Sequence, residues 1–331
     1  MKISFLSEGD AANVLTEYSY CLNKHSDIES KSICTIPHPF NYTIKHDYNI
    51  NTCNLNEIQE VKQWILNSDV IVFGEEGHPL EQTYRTLREF SNLLGIDLIN
   101  SGKKLCIWHP GSHYRQNSQF YNEHPLRGKI SKHLYAFDLY KLSNKGLNDL
   151  PFLVYNYVNF NKKELISNFK NKLKLKKKLI CHIPSNPKIK GTDIIKLSTT
   201  TLPDNYSFFS TTGISHPEVV EYKTKSLFYI DQFNSIGTYG VAAIEALLNS
   251  NLVFCTLHNT HEAITKLTGE PILPFVDLGT TPDPNQINSI ISTYANLPDK
   301  DLIEIFEGIV QWVGEYYSPK GIINQIENII K

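Results

Sequence analysis

The sequence lacks the glycine-rich phosphate-binding patterns of the common nucleotide enzymes. The loop Ser7-Glu8-Gly9-Asp10 after the first predicted strand has a single glycine, so GxGxxG is absent there and a nicotinamide dehydrogenase is disfavoured. The sequence contains no GxxxxGK motif followed by Ser or Thr, which excludes a P-loop nucleoside triphosphatase. HExxH, the zinc pattern of many metalloproteases, is also missing.

Cysteine is sparse and scattered. The six cysteines form no CxxC pair and no cysteine–histidine spacing typical of zinc, and the twelve histidines show no metal-ligand spacing. We therefore expect free thiols in a reducing compartment and no bound metal.

Long apolar runs and a strong excess of either charge are also missing. No run approaches the roughly 18 residues of a membrane span, and the N-terminal MKISFLSEGD reaches acidic residues too early for a signal peptide. The chain has 41% apolar residues and a formal charge of −2. These values exclude a disordered protein and a strongly basic protein that coats nucleic acid. These features predict a soluble, cytoplasmic protein.

Length and periodicity predict two α/β domains. At roughly 150 residues per domain, a chain of 331 residues favours two, and short apolar runs alternate with helical patterns almost throughout. We predict strands at 2–6, 70–74, 105–108, 134–139, 152–155, 179–183, 206–209, 227–230 and 252–255. Predicted helices include 11–22, one carrying Ile58, Val61 and Ile65, one carrying Leu80, Tyr84, Leu87 and Leu94, 240–248, and 320–330.

The clearest change of composition lies at residues 162–178, which hold eight lysines and one glutamate and so leave −9 for the rest of the chain. The stretch is read either as a solvated linker helix or as a basic surface facing an anionic membrane, a phosphate-bearing substrate or DNA. We place one domain at 1–165, a second at 166–315, and a C-terminal helix at 316–331 that returns to the first. Ligands of such sheets bind beyond the carboxyl ends of the strands, which directs attention to the loops after Trp108, Ile183, Ser210 and Ile230.

Residues 235–246, SIGTYGVAAIEA, form the most informative segment. Gly237 and Gly240 follow a predicted strand and lead into an Ala-rich helix, an arrangement in which backbone amides bind phosphate. Glu245, about one and a half turns into the helix, is placed to accept hydrogen bonds from a vicinal diol. On these residues alone, a turn followed by a core helix explains the pattern equally well.

A second segment, HIPSNPKIKGTD at residues 182–193, also leaves a strand and enters a helix through a glycine. Lys190 is expected at the carboxyl edge of the sheet, where its charge can neutralise a diphosphate. A solvent-facing turn is the simpler alternative.

Together the two segments resemble glycosyltransferase family 4, whose members are retaining enzymes of the GT-B fold. The matching positions follow the forms HxPSN…KGTD and DQ…GTYG…EA: His182, Pro184, Ser185, Asn186, Lys190, Gly191, Thr192, Asp193, Asp231, Gln232, Gly237, Thr238, Tyr239, Gly240, Glu245 and Ala246. The likeness extends over most of residues 176–331. It implies two Rossmann-like domains that face each other across a cleft.

The resemblance implies that the second domain holds a nucleotide-sugar donor, with a UDP-sugar favoured, and that no other cofactor is used. Lys190 matches the phosphate-neutralising lysine, and Glu245 matches the closing Glu of the E-x7-E signature, which grips the donor ribose. The opening Glu is replaced by Gly237. The implied donor-binding residues are Ser185, Lys188, Lys190, Gly237, Thr238, Tyr239, Gly240, Val241 and Glu245.

In the first half, Gly111-Ser112-His113-Tyr114-Arg115 resembles the GSxxR loop of some family members. Acceptor-side candidates at predicted strand ends are Asp10, Asn13, Glu76, His109, Ser112, His113 and Arg115. Asp10 is equally a helix cap, and Arg115 equally a member of a surface ion pair. His109 joins Lys190 and Glu245 as a catalytic candidate.

The resemblance implies retention of anomeric configuration without a metal, with the departing phosphate taking the acceptor proton. The acceptor is open: a glycan, a lipid-linked sugar, a protein, or a modified DNA base in a viral setting. A catalytically silent nucleotide-sugar-binding subunit and a sugar-nucleotide epimerase are the alternatives from other classes.

Overall fold

A computed structural model describes residues 1–36, 42–75, 84–153, 160–270 and 274–331 of the chain. The chain divides into two compact units, Met1–Tyr157 with Ile322–Lys331, and Val158–Gly321. In the described residues, no helix is both long enough and apolar enough to cross a membrane.

The first unit is built on a seven-stranded parallel sheet with the order β3-β2-β1-β4-β5-β6-β7. Its strands are β1 Lys2–Ser7, β2 Glu29–Cys34, β3 Tyr48–Asn49, β4 Val70–Gly74, β5 Lys104–His109, β6 Lys132–Tyr135 and β7 Asp149–Pro151. Its helices are α1 Val14–His25, α2 Leu55–Leu66, α3 Arg85–Leu94, α4 Gly111–Glu123 and α5 Phe137–Tyr140. The central strand β4 is buried along its whole length, as expected for a parallel sheet that is covered on both faces.

The second unit contains a five-stranded parallel sheet with the order β12-β11-β10-β8-β9. Its elements in chain order are α6 Lys162–Leu173, β8 Lys178–His182, α7 Pro187–Lys190, α8 Thr192–Ser198, β9 Tyr206–Ser210, α9 His216–Lys225, β10 Phe228–Gln232, α10 Val241–Leu248, β11 Leu252–Cys255, α11 His261–Thr268, β12 Val276–Asp277, α12 Pro284–Ala295 and α13 Asp299–Tyr316. The last helix, α14 Pro319–Ile330, begins in this unit, and its residues from Ile322 belong to the first.

Each sheet reverses its strand order once, and this fixes where ligands can bind. In the first unit the chain moves from β1 to β2 on one side and later to β4 on the other, so the switch lies between β1 and β4. In the second unit the same reversal lies between β8 and β10. The carboxyl ends of these strand pairs are where open α/β sheets bind ligands.

The predicted alternation of strands and helices is confirmed, with local exceptions. β2 was not predicted because its sequence, ESKSIC, is largely polar. The predicted strand at 134–139 is only half right, since the chain leaves β6 at Tyr135 and forms α5. Of the strand predicted at 152–155, residues 152 and 153 follow β7, which ends at Pro151, and residues 154 and 155 lie outside the described residues. The helix predicted from residue 11 begins at Val14, because Ala12 and Asn13 have positive φ angles.

The lysine-rich stretch 162–178 is not a uniformly solvated surface. Lys172 of α6 is buried, and its ammonium donates to the backbone carbonyls of Lys223, Asn249 and Ser250. Carbonyls at helix C-termini carry partial negative charge, so an ammonium satisfies and stabilises them there. Lys172 therefore contributes to packing and is not part of any basic binding face.

Candidate functional site

The candidate site lies at the strand switch of the second unit, where β8 and β10 end. After β8, the short helix α7 carries Lys190 and stops at Gly191, which has φ +69°. The amide of Phe233, just after β10, donates to the carbonyl of Lys190 at 3.1 Å. A β-carbon at Gly191 would overlap the carbonyl oxygen of Phe233. Only glycine allows this turn, and the turn fixes Lys190 beside the end of β10.

Lys190 and Gly240 meet on one carboxylate, that of Asp231. The Lys190 ammonium lies 3.0 Å from Asp231 Oδ1, and the Gly240 amide donates to Oδ2 at 2.8 Å. Asp231 is 2% exposed, whereas the Lys190 side chain is 16% exposed. A cation and a main-chain donor from the two sequence segments thus converge on an anionic group.

Gly240 is also the residue before helix α10, and its lack of a side chain keeps the cation close. A β-carbon there would lie 2.9 Å from Lys190 Nζ and 3.4 Å from Asp231 Oδ2. The following amides, of Val241 and Ala242, open the helix and have no hydrogen-bond acceptor among the described residues. Such amides and the positive end of the helix dipole are suited to bind phosphate.

Glu245, predicted to contact the donor ribose, is buried at 5% exposure. Its two carboxylate oxygens are engaged by Nε2 of His216 and by the ammonium of Lys223. These partners outweigh burial and lower the pKa of Glu245 to about 2. The structure therefore gives Glu245 a structural task in addition to the predicted one, which stays a prediction.

The other predicted donor-site residues differ in their surroundings. Tyr239 is buried, and its hydroxyl lies 2.7 Å from that of Tyr317, which makes it a packing residue in this structure. Thr238 accepts through its carbonyl from the Gln232 side chain. Ser185 and Lys188 are exposed at the end of β8 and on α7.

His182, at the end of β8, connects strand β10 with helix α8 through its buried ring. Its Nδ1 lies 2.8 Å from the carbonyl of Ile230 in β10, and its Nε2 lies 2.9 Å from the Thr192 hydroxyl in α8. Burial lowers the pKa of His182 to about 4, so the ring is neutral at pH 7. The histidine of the HxPSN pattern thus ties β8 to β10.

Sequence reasoning gave no role to Asp231. The signal was available, because Asp231 is the first charged residue after the apolar run Phe228-Tyr229-Ile230 and so stands where a strand ends at the switch. The sequence does not indicate that one oxygen of the Asp231 carboxylate binds Lys190 and the other binds the Gly240 amide.

In the first unit, Asp10 follows β1 at the strand switch. It is buried, and its carboxylate accepts from the amides of Leu15 and Thr16 at 2.9 and 2.8 Å. Burial raises the pKa of Asp10 to about 6. Asn13 donates to Glu17 at 3.0 Å and to the Ile44 carbonyl at 3.1 Å. Asp10 therefore caps the start of α1, which is the alternative considered for it, and Asn13 holds the same turn through its side-chain amide.

His109 is completely buried, which places it away from any solvent-accessible ligand in this structure. Its ring stacks on Tyr135 at 4.8 Å, and its Nε2 lies 3.3 Å from Nδ1 of His133. Burial lowers the pKa of His109 well below its usual range, so the ring is neutral. This placement argues for packing, since a proton-transfer group must reach its substrate.

The structure describes only some of the remaining acceptor-side candidates. Gly111–Arg115, expected as a loop, forms the first turns of α4. Arg115 forms an ion pair with Asp138 at 2.5 Å, as its alternative interpretation predicts. The pair is not a surface one, because the Asp138 side chain is only 5% exposed. Glu76 lies outside the described residues, as do the side chains of Ser112 and His113.

Comparison with known proteins supports the architecture. No protein-family model matches the chain, and no curated protein matches it in sequence. Among solved structures, HepE (Alr3699) of Anabaena with UDP and glucose has a TM-score of 0.62 at 11% identity, covering 99% of this chain and 98% of that one. A glycosyltransferase of Rickettsia africae has a TM-score of 0.57 at 11% identity, covering 100% and 97%. MnaA of S. aureus with UDP gives 0.51 at 12%, covering 99% and 96%. At these identities the likeness shows the fold alone, and the predicted α/β fold of the GT-B type is confirmed.

Proposed function

We propose that the protein is a glycosyltransferase that binds a nucleotide-sugar donor, with a UDP-sugar favoured, in its second unit. The observation that carries the proposal is the convergence of the Lys190 ammonium and the Gly240 amide on one carboxylate. Beside them lie the amides of Val241 and Ala242, for which the described part of the chain offers no acceptor. The same groups that hold a carboxylate can hold the oxygens of a diphosphate.

These groups also suit the chemistry of transfer. When the bond between the sugar and the diphosphate breaks, negative charge grows on the leaving oxygens. A fixed ammonium and oriented helix amides stabilise that charge more in the transition state than in the ground state. Because they need no reorganisation during the reaction, they lower the barrier directly.

We further propose that transfer is retaining and metal-independent, as in the family that the sequence resembles. In that scheme the departing phosphate takes the acceptor proton, so no protein base is required. The acceptor is proposed to bind to the first unit, near the loop Ser7-Glu8-Gly9-Asp10 at its strand switch. A glycan, a lipid-linked sugar or a protein is the favoured class, and a modified DNA base is the alternative.

Two observations support a nucleotide-sugar donor, and a third favours uridine as its nucleoside. The two sequence segments match a family that uses nucleotide sugars, and their key groups lie together at the strand switch. In addition, the HepE structure with the same fold was solved with UDP-glucose, at a TM-score of 0.61 and 12% identity.

The first test is nucleotide binding by isothermal titration with UDP, GDP, ADP and the corresponding glucose esters. We expect the wild type to prefer UDP and UDP-glucose. Lys190→Met should weaken UDP binding ten- to a hundredfold, because a charge-assisted contact is worth about 1.5–3 kcal/mol. Lys196→Met removes the same charge from an exposed position on the next helix, α8, and serves as the matched control. Absence of nucleotide binding by the wild type, or equal effects of the two variants, would overturn the proposal.

The second test separates the classes of activity. The protein is incubated with UDP-glucose and candidate acceptors, and the products are analysed by mass spectrometry together with UDP release. A transferase gives an acceptor heavier by one hexose or, without acceptor, slow hydrolysis of the donor. Turnover of the donor excludes a silent subunit, and an isomerised donor with no change in acceptor mass indicates an epimerase.

A further inference from the structure

We propose that Asp231 is a built-in competitor of the product diphosphate, which lowers the affinity of the site for the free nucleotide and thereby speeds its release. This inference rests on the proposed function, because it assigns a task to a residue of the same site. It concerns Asp231, for which the sequence resemblance implies no role.

The geometry gives Asp231 both of the groups that the phosphates need. One oxygen lies 3.0 Å from the Lys190 ammonium, and the other accepts from the Gly240 amide at 2.8 Å. Because Asp231 is 2% exposed and Lys190 is more exposed, the carboxylate lies beneath the cation. A ligand arriving from solvent therefore meets Lys190 with its charge already neutralised from below.

The carboxylate should oppose the product more strongly than the donor. A free nucleoside diphosphate carries close to three negative charges at neutral pH, because its terminal phosphate has a second ionisation with a pKa near 6, whereas its sugar ester carries two. Coulomb repulsion from a fixed negative charge grows in proportion to the charge of the ligand. Asp231 thus discriminates between two ligands that share the same contacts.

Such discrimination answers a difficulty of the proposed mechanism. Groups that stabilise the charge developing on the leaving diphosphate also bind the departed product tightly. Product release then limits turnover, as it does in many enzymes. A carboxylate behind the cation reduces the affinity for the most highly charged species while leaving the ammonium in position.

The test is the affinity of Asp231→Asn for UDP and for UDP-glucose, measured by isothermal titration. We expect UDP to bind about tenfold more tightly than to the wild type and UDP-glucose about fivefold more tightly, because the repulsion scales with the charge of the ligand, with a matching rise in product inhibition. The gain must depend on that charge, so Asp231→Asn should change the affinity for uncharged uridine less than twofold. Asp204→Asn is the control for net charge. Asp204 is exposed and precedes β9, so it lies at the amino ends of the strands, whereas the candidate site lies at their carboxyl ends.

Each outcome decides the matter. Weaker or unchanged UDP binding by folded Asp231→Asn overturns the inference and indicates that the carboxylate only positions Lys190. Equal gains for UDP and UDP-glucose, or an equal gain for uridine, also overturn it. If Asp231→Asn does not fold by circular dichroism and thermal melting, Asp231→Ser, which keeps an acceptor for the Gly240 amide, is measured under the same criteria. Failure of the wild type to bind any nucleotide instead refutes the proposed function itself.

Discussion

Lys223 and Glu245 form an ion pair in the interior of the second unit, between helices α9 and α10. The Lys223 side chain is fully buried, and its ammonium also lies 5.0 Å from the centre of the Tyr229 ring. A residue predicted from the sequence to grip a ribose is therefore also the counter-charge of a buried lysine. Substitutions of Glu245 will affect folding and donor binding together, and the two effects must be measured separately.

Removing the lysine should destabilise the protein strongly. Lys223→Met leaves Glu245 buried without its counter-charge, which costs about 3–5 kcal/mol in comparable cases. The free energy of unfolding from urea titration should fall by that amount at pH 7. Lys225→Met is the control, because Lys225 lies two residues later on the same helix and its ion pair with Glu221 is exposed. Similar losses for the two variants would contradict a dominant role for the buried pair.

Acid should destabilise the fold through His182. Its pKa is about 4 in the folded state, because the ring is buried, against an ordinary histidine pKa of 6.5. Below pH 6.5 the unfolded chain binds a proton that the folded chain does not, so stability falls as the pH decreases towards 4. The loss from this one group reaches about 3 kcal/mol over that range.

The measurement is the unfolding free energy of wild type and His182→Gln between pH 7 and pH 4. His182→Gln should lower stability at pH 7 but show a shallower pH dependence, by about 1.4 kcal/mol per pH unit. Parallel pH profiles would show that His182 takes up its proton in the folded state. Any slope common to both proteins belongs to the other buried histidines, such as His109 and His133, whose pKa values are also lowered by burial.

How much of this structure the sequence predicts depends on whether a contact is local. Apolar runs such as 70–74 and 252–255 identify strands because a buried parallel strand needs apolar side chains on both faces. The strand Glu29–Cys34 is largely polar and therefore cannot be identified from an apolar run. The meeting of Lys190 with Gly240 was expected from the rule that parallel strands end at one edge. The pairing of Glu245 with Lys223 was not, because it joins two helices through side chains whose directions no pattern specifies.

Introducing at position 237 the glutamate of the family that the sequence resembles should not improve donor binding. Gly237 has φ +64°, and a β-carbon there would overlap the His258 ring, so the ring would have to move. The backbone strain of a non-glycine residue alone costs about 1–2 kcal/mol. Gly237→Glu is therefore expected to destabilise the protein and to leave the UDP-glucose affinity unchanged or weaker.

Gly237→Ala is the control that separates the backbone effect from the added carboxylate. In a His258→Ala background the steric part of the loss should vanish, while the strain of the positive φ remains. The measurements are urea unfolding and titration with UDP-glucose. A Gly237→Glu protein that binds UDP-glucose more tightly than the wild type would show that this loop can accept the family's arrangement.

The turn at Gly191 should be the most sensitive backbone position of the candidate site. A β-carbon there meets the backbone carbonyl of Phe233, which cannot rotate away as a side chain can, so the turn itself must shift. Gly213→Ala is a matched control, because Gly213 has a similar φ of +74° but no atom within 4 Å of an added β-carbon. Gly213→Ala should cost only the strain, about 1–2 kcal/mol, without any change in nucleotide affinity. Gly191→Ala should lose more unfolding free energy and, because the shift moves Lys190 from the end of β10, weaken UDP binding at least tenfold. If the two alanine variants bind UDP equally well, the turn does not position the lysine.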